Sequence, residues 1–244
     1  MILEGFNKSH QAYDKKTATD PVTEVDRNVE KYIQTTVQER FPNHSFLGEE
    51  TATTTKLSSD KVTWIVDPVD GTANFVHKLP YCAVCIAVAM EGQIVSGVVH
   101  APVLERMYTA MYEFPALLNG KPISVSKVSI LSEAAVCTDF GSHRDEKFVS
   151  ARIENIKVVL RHQTQCIRML GSCALSMCEV AAGHVDIYYE WGPCIWDFAA
   201  ARIIVERAGG VVLDPLGSPH DLNGNAVYAS NPALASALKF QTMD

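Results

Sequence analysis

Between Ser172 and Asp214 helical and strand patterns alternate without a break. Helical spacing over Ser172–Ala182 stops at Gly183, and an apolar strand follows at Val185–Tyr189. A second helix over Asp197–Ala208 stops at Gly209-Gly210 and leads into the strand Val-Val-Leu-Asp. Such a run buries its apolar faces only by laying helices against a sheet. The first half is built differently. Strands at Tyr81–Met90 and Ile94–His100 are joined by a tight Glu-Gly-Gln turn, a further strand is expected at Met107–Tyr112, and Asn119-Gly120-Lys121 signals another turn. Val62–Val66 and Ala134–Thr138 read as strands and Glu146–Val159 as a helix. Val227–Ala229 and a short helix after Pro232 finish the chain. Val25, Val29, Tyr32, Ile33 and Val37 recur at helical spacing, which predicts an amphipathic helix over 24–40. Its start, Thr23-Glu24-Val25-Asp26, has the form of a capping box. Hairpins early and β-α alternation late predict a layered α/β or α+β sandwich. An N-terminal lobe is expected over 1–125 and a C-terminal α/β lobe over 126–244.

The chain has 244 residues, 47% of them hydrophobic, enough for a sizeable core. No apolar run nears the roughly 18 residues of a membrane span, and the first residues lack the apolar centre of a signal peptide. Neither a membrane nor a nucleic acid is expected as a partner, the second because the net charge is −7. Seven scattered cysteines, an odd number, predict reduced thiols and a cytoplasmic setting. Cys82 and Cys85 form a C-x-x-C inside an apolar strand, where that spacing sends the two thiols to opposite faces.

Three acidic elements stand where strands or helices meet loops: Gly48-Glu49-Glu50, Asp67-Pro68-Val69-Asp70-Gly71-Thr72, and Trp196-Asp197. Each has a plain structural reading. The first is a solvated loop, the second turn chemistry, and Asp197 a helix N-cap. The functional reading accounts for more. Asp67 ends a strand, Pro68 keeps it extended, and Asp70 projects from the turn beyond. Gly71 and Thr72 open a helical turn whose free N–H groups suit a phosphate. Carboxylate and carbonyl oxygens are the ligands of hard cations such as Mg²⁺. No Lys or Arg occurs in 64–76 or 189–201, so a phosphate could approach these carboxylates only with metal ions between them. A bare acid/base carboxylate pair for sugar hydrolysis leaves the Gly-Thr helix opening unexplained. The order D-x-x-D-G-T is one residue longer than the D-x-D-G-T of haloacid dehalogenase-type phosphatases, and no G-D-x-x-x-D accompanies it. An aspartyl-phosphate route is therefore not expected.

Taken together, "GEE", "WIVDPVDGTANFVHKLP" and "WDFAAARIIVERAGG" resemble the signatures of the inositol monophosphatase family, in that family's order. These are Mg²⁺-dependent, lithium-sensitive phosphatases related to fructose-1,6-bisphosphatase, with a layered αβαβα sandwich fold, usually homodimeric. The resemblance implies a phosphomonoesterase for inositol monophosphate or a similar small polyol phosphate, working by direct attack of metal-activated water. It implies two to three Mg²⁺ ions. Glu49, Asp67 and the Val69 carbonyl would hold the first, and Asp67, Asp70 and Asp197 the second, with Glu49 reaching a third through water. Thr72, backed by Asp26, would position the water, and the amides of Gly71 and Thr72 would cradle the phosphate. Glu190 would meet a substrate hydroxyl, with Asp70 and Asp197 also facing substrate, while Gly171, Ser172 and Cys173 would lie beside the polyol ring. Asp26 also reads as a cap alone, Thr72 as a helix-start residue, and Glu190 as a solvated strand end.

Two departures from the family accompany the match. Only "MILEGFNKSHQAYDKK" precedes the capping box where relatives have a full helix, so a short N-terminal element is expected. Cys173 and Cys194 also stand where relatives carry other residues near the sugar. Two alternatives stay open at this level: a relative preferring a sugar bisphosphate or a 3′-phosphonucleotide, and a catalytically silent binding protein.

Overall fold

A computed structural model describes residues 1–8, 13–14 and 21–240. In chain order the elements are α1 (Ile2–Phe6), the two-residue strands β1 (Tyr13–Asp14) and β2 (Pro21–Val22), α2 (Glu24–Arg40), β3 (Ser45–Gly48), β4 (Thr63–Asp70) and α3 (Thr72–Val76). There follow β5 (Ala83–Met90), β6 (Gln93–Ala101), β7 (Arg106–Met111), β8 (Leu117–Leu118), β9 (Lys121–Pro122), β10 (Ala135–Thr138) and α4 (Glu146–Arg161). The chain closes with β11 (Cys166–Arg168), α5 (Cys173–Ala181), β12 (Ile187–Trp191), α6 (Ile195–Arg207), β13 (Val211–Leu213) and β14 (Ala226–Ser230).

Two sheets form the frame. The first runs in spatial order from β3 to β9, with β3 and β4 parallel and the other pairs antiparallel. The second has the order β11-β10-β12-β14-β13, parallel across its first three strands and antiparallel beyond. Helices α5 and α6 lie between the sheets. α6 packs on β4–β7 and also on β13 and β14, and α5 packs on β12 and β14 and on β5 and β6. That position explains their composition. All nine residues of α5 are buried, and α6 is apolar almost all round, as a helix enclosed on every side must be. Gly97 allows the close approach: a Cβ there would lie 2.5 Å from the carbonyl oxygen of Ala200. Glu179, the charged member of α5, is bound by Arg106 and His184, each at 2.6 Å.

α1 and α2 cover the outer face of the first sheet through Ile2, Val29, Val69, Phe75 and Cys82. Val159 of α4 covers the outer face of the second with Val136 and Ile187. The layers therefore run α-β-α-β-α, the sandwich that the resemblance implies. The largest core cluster crosses both sheets, from Leu47 to Ala229. Cys82 and Cys85 fall in different clusters, on opposite faces of the first sheet as their spacing predicts.

The capping box at Thr23 and Asp26 forms and α2 spans the expected residues. α1 is a helix of five residues, with Phe6 set edge-on to Phe75 at 5.9 Å between ring centres. The rest of the expected N-terminal element lies partly outside the described residues. Three expectations change. β4 does not end at Asp67 but continues to Asp70, with a register irregularity against β5 between those residues. α6 begins at Ile195, so Asp197 is its third residue and not its N-cap. The element after Pro232 is a single 3₁₀ turn.

Candidate active site

The irregular end of β4 shapes the site. Asp67 turns one carboxylate oxygen back to accept from the Val69 N–H at 2.9 Å. The local turn lets the strand resume at Asp70, and both carboxylates end buried. Gly71 follows in the left-handed region, φ +85°. A Cβ there would sit 2.7 Å from the carbonyl oxygen of Tyr81 and 3.1 Å from that of Gly171, so only glycine fits. α3 then starts at Thr72, and its first amides have no acceptor within the helix. Asn74 pins this turn across the cleft, donating to the carbonyls of Leu170 at 2.6 Å and Tyr81 at 2.8 Å.

Other elements bring the remaining groups. Asp70 accepts from the Ser172 hydroxyl and, at 3.0 Å, from the Ala174 N–H, so it caps the first turn of α5. Ser172 is the N-cap of that helix and accepts from Leu175 N–H at 3.2 Å. Asp197 accepts from Cys194 N–H at 2.6 Å, a capping box at the start of α6. Asp26, wholly buried, accepts from the Thr23 N–H and hydroxyl. Its other oxygen lies 3.2 Å from the Thr72 hydroxyl, which is also 2.9 Å from the Val69 carbonyl. The cap reading and the site reading of Asp26 therefore hold together. Glu190, near the end of β12, accepts from the Tyr188 hydroxyl two residues earlier on the same face.

Glu49, Asp67, Val69, Asp70, Gly71, Thr72, Gly171, Ser172, Cys173, Glu190 and Asp197 all line one cleft of about 420 Å³. Asp26 stands behind it, and Cys194, though near in sequence, is not among the lining residues. The cleft adds residues that sequence reasoning missed, above all Asp139 and Arg144. Asp139 accepts from Gly171 N–H at 3.0 Å. Its sequence signal, an acid just after a strand and two residues before a glycine, is the weaker form of the Asp70-Gly71 pattern. Arg144 donates to the carbonyls of Gly141 and His143 on its own loop.

Among the described residues the cleft has six carboxylates, from Glu49, Asp67, Asp70, Asp139, Glu190 and Asp197, and one cation, Arg144. The electrostatic cost is visible at Asp67, Asp70, Asp139, Glu190 and Asp197. Burial, with Glu49, Asp70 and Asp197 close by, holds Asp67 well above the usual carboxylate range and couples it to Glu49 by a hydrogen bond. Burial and the same neighbourhood raise Asp197 likewise. Burial lifts Asp70 to about 6 against the pull of its bonds to Ser172 and Ala174. It lifts Asp139 to about 7, and Glu190 to about 8 with help from Asp139.

Among the described residues no three acidic, histidine or cysteine side chains are already closed into a metal-binding cluster. The donor set nonetheless fits a hard divalent cation. Its members are all oxygens. Asp67, Asp70 and Asp197 are each oriented by a chain donor on one named oxygen. Their mutual repulsion in a buried cleft is the condition that a cation relieves.

Comparison with known proteins agrees with this geometry. The model of the inositol monophosphatase family matches residues 1–242. "Inositol monophosphatase 2" of Solanum lycopersicum is 43% identical over 243 residues, covering 97% of this chain and 90% of the relative. The extragenic suppressor protein suhB from Bartonella henselae superposes with a TM-score of 0.87 at 30% identity, over 96% of this chain and 89% of that one. The IMPase of Thermotoga maritima gives 0.86 at 32% identity, over 97% and 88%. The chain belongs to the inositol monophosphatase family.

Proposed function

We propose that this chain is a Mg²⁺-dependent phosphomonoesterase that hydrolyses inositol monophosphate or a similar small polyol phosphate. The observation that carries the reading is the charge of the cleft: six carboxylates and one arginine around the amino end of α3. A phosphate drawn to the α3 amides meets that field, and only intervening cations make its approach favourable.

Glu49, Asp67 and the Val69 carbonyl would hold one ion. Asp67, Asp70 and Asp197 would hold a second, with Glu49 available to a third. Bound Mg²⁺ supplies neutralisation of the carboxylates, polarisation of the phosphoryl oxygens and a lowered pKa for water. The chain does the rest. Amides of Gly71 and Thr72 bind phosphate oxygens, and the Thr72 hydroxyl orients the attacking water. Asp26 accepts a hydrogen bond from the Thr72 hydroxyl and holds that rotamer. Glu190, fixed by Tyr188, faces a substrate hydroxyl, and Gly171 to Cys173 form the wall beside the polyol.

Two further readings belong to the proposal. The exposed apolar side chains Met107, Met111, Tyr112 and Phe114 support a homodimer, and the odd number of cysteines, seven, supports a cytoplasmic setting.

The test is phosphate release from inositol 1-phosphate by the purified chain, with and without Mg²⁺, beside Asp67→Asn. Release that requires Mg²⁺ and disappears in the variant is the expected result. Release that survives chelation, or the loss of Asp67, would refute the assignment.

A further inference from the structure

We infer that Glu30 is a positioning residue for Glu49. Lodged under the corner at Gly48–Glu50, its carboxylate sets the direction of Glu49, and through it the cation affinity of that side of the cleft. The inference rests on the metal-dependent reading above.

Glu30 lies one helical turn beyond Asp26 on α2, on the same face. Both are buried, Glu30 to 1% exposure. Asp26 reaches up to Thr72; Glu30 reaches the other acidic motif. Its Oε2 accepts the Glu50 N–H at 2.8 Å. Its Oε1 is buried with no hydrogen-bond partner. Packing alone would be better served by an apolar side chain, because a buried carboxylate with an unpartnered oxygen is unfavourable. The bond to Glu50 gives the carboxylate its use.

Gly48 carries the complementary observation. A Cβ at that position would lie 2.5 Å from Cδ and 2.6 Å from Oε2 of Glu30, and 2.7 Å from the Phe46 ring. The backbone angle at Gly48 is not of the left-handed kind, so the glycine is required by the space that Glu30 and the Phe46 ring occupy. The corner is pinned at three points. Glu49 N–H donates to Val66 at 3.1 Å, Ala52 N–H donates to Gly48 at 2.9 Å, and Glu50 N–H donates to Glu30. The first two are backbone bonds that any sequence could make; the third depends on one side chain. Glu49 sits between the pins and projects into the cleft from a loop, whereas Asp67 and Asp70 are held by a sheet strand and Asp197 by a helix.

The experiment is calorimetric titration of the metal-stripped full chain with MgCl₂, with thermal midpoints recorded in parallel. Four variants are compared with the wild type: E30A, E30Q, G48A and E30A/G48A. E30A should weaken Mg²⁺ binding by about tenfold, as loss of outer-shell support for a metal ligand does. E30Q keeps an oxygen for the Glu50 N–H and should stay within about threefold of wild type. G48A forces the carboxylate aside and should weaken binding as E30A does. In E30A/G48A the new methyl fills the vacated space, so the thermal midpoint should recover relative to either single variant while affinity stays low.

E30A binding within about twofold of wild type would overturn the inference. So would recovery of affinity along with stability in the double variant, because that would reduce Glu30 to packing. E30Q as weak as E30A at an unchanged midpoint would overturn it too, since the bond would then be irrelevant. If E30A does not fold, the double variant carries the comparison. A wild type that takes up no Mg²⁺ overturns the metal-dependent reading and this inference with it. A wild type that binds, beside an E30A that binds equally, overturns this inference alone.

Discussion

Gly71→Ala is the sharpest probe of how the fold builds the phosphate-binding turn. Two costs apply. An alanine forced to φ +85° costs about 1–2 kcal/mol relative to glycine. Its Cβ would also meet two backbone oxygens, at 2.7 Å on Tyr81 and 3.1 Å on Gly171. Relief of such overpacking against backbone costs about 1–3 kcal/mol more. Gly209→Ala separates the two. Gly209 has φ +87° and nothing within 4 Å of its would-be Cβ, so it carries the conformational term alone. Urea unfolding of the metal-free proteins, followed by far-UV circular dichroism, should place Gly71→Ala about 1–3 kcal/mol below Gly209→Ala. Phosphatase turnover should fall by about 100-fold in the first variant, through displacement of the α3 amides, and stay near wild type in the second. Equal destabilisation of the two variants would refute the close-contact argument, and with it the claim that Tyr81 and Gly171 fix the position of the turn.

Asp67→Asn should abolish Mg²⁺-dependent turnover yet raise the melting temperature of the metal-free protein by about 2–4 °C, since it removes one charge from a crowded acidic cleft; calorimetry with and without Mg²⁺ checks both halves. Asp139 and Glu190 have folded-state pKa values raised to about 7 and about 8. Raised values mean that the native state holds protons that the unfolded chain has released, so stability is lost as pH rises through them. Metal-free melting temperatures should therefore fall from about pH 4.5, where the unfolded carboxylates have ionised, to about pH 8 and level off beyond it, and saturating Mg²⁺ should flatten the slope. Ser172→Ala removes both the α5 cap and a donor to Asp70. It should cost about 1–2 kcal/mol and weaken Mg²⁺ binding, read from thermal unfolding and a calorimetric titration. Asn74→Ala leaves the Leu170 and Tyr81 carbonyls without their donor and should destabilise by about 1–3 kcal/mol, measured by the same unfolding assay.

What could be read from the sequence was what depends on neighbours in the chain. The capping box at Thr23 fixed the start of α2 because both partners lie within four residues. The strands around Val88 and Val98 were legible from their apolar runs and the turn between them. The acids of the three motifs were found because Asp, Gly and Thr at an element end are unusual locally. Short edge strands escaped: β3 and β11 are four and three residues long and acquire their identity from the strands they pair with. The start of α6 was misplaced because Cys194, a residue with little capping preference, acts as its cap while Asp197 closes the box from inside. Asp139, Asn74 and Glu30 act on residues 20 to 96 positions away. Apart from the weak acid-before-glycine signal at Asp139, no local pattern marks such long-range pins; only the packing of α2 and the layered sheets brings them to the cleft.

The helix starts have a further consequence, for how variants of this chain would behave inside a cell. Asp26, Asp70 and Asp197 each cap a helix with a carboxylate that also serves the cleft. Asp67 is the exception, since its chain donor is the Val69 amide within its own strand. Substitutions at the first three acids should therefore be degraded as well as inactive, because frayed helix ends raise the population open to proteases. Substitution at Asp67 should leave an abundant, long-lived and silent protein. In a mixed population of copies, that variant alone would persist beside the active enzyme and compete with it for substrate or for partners.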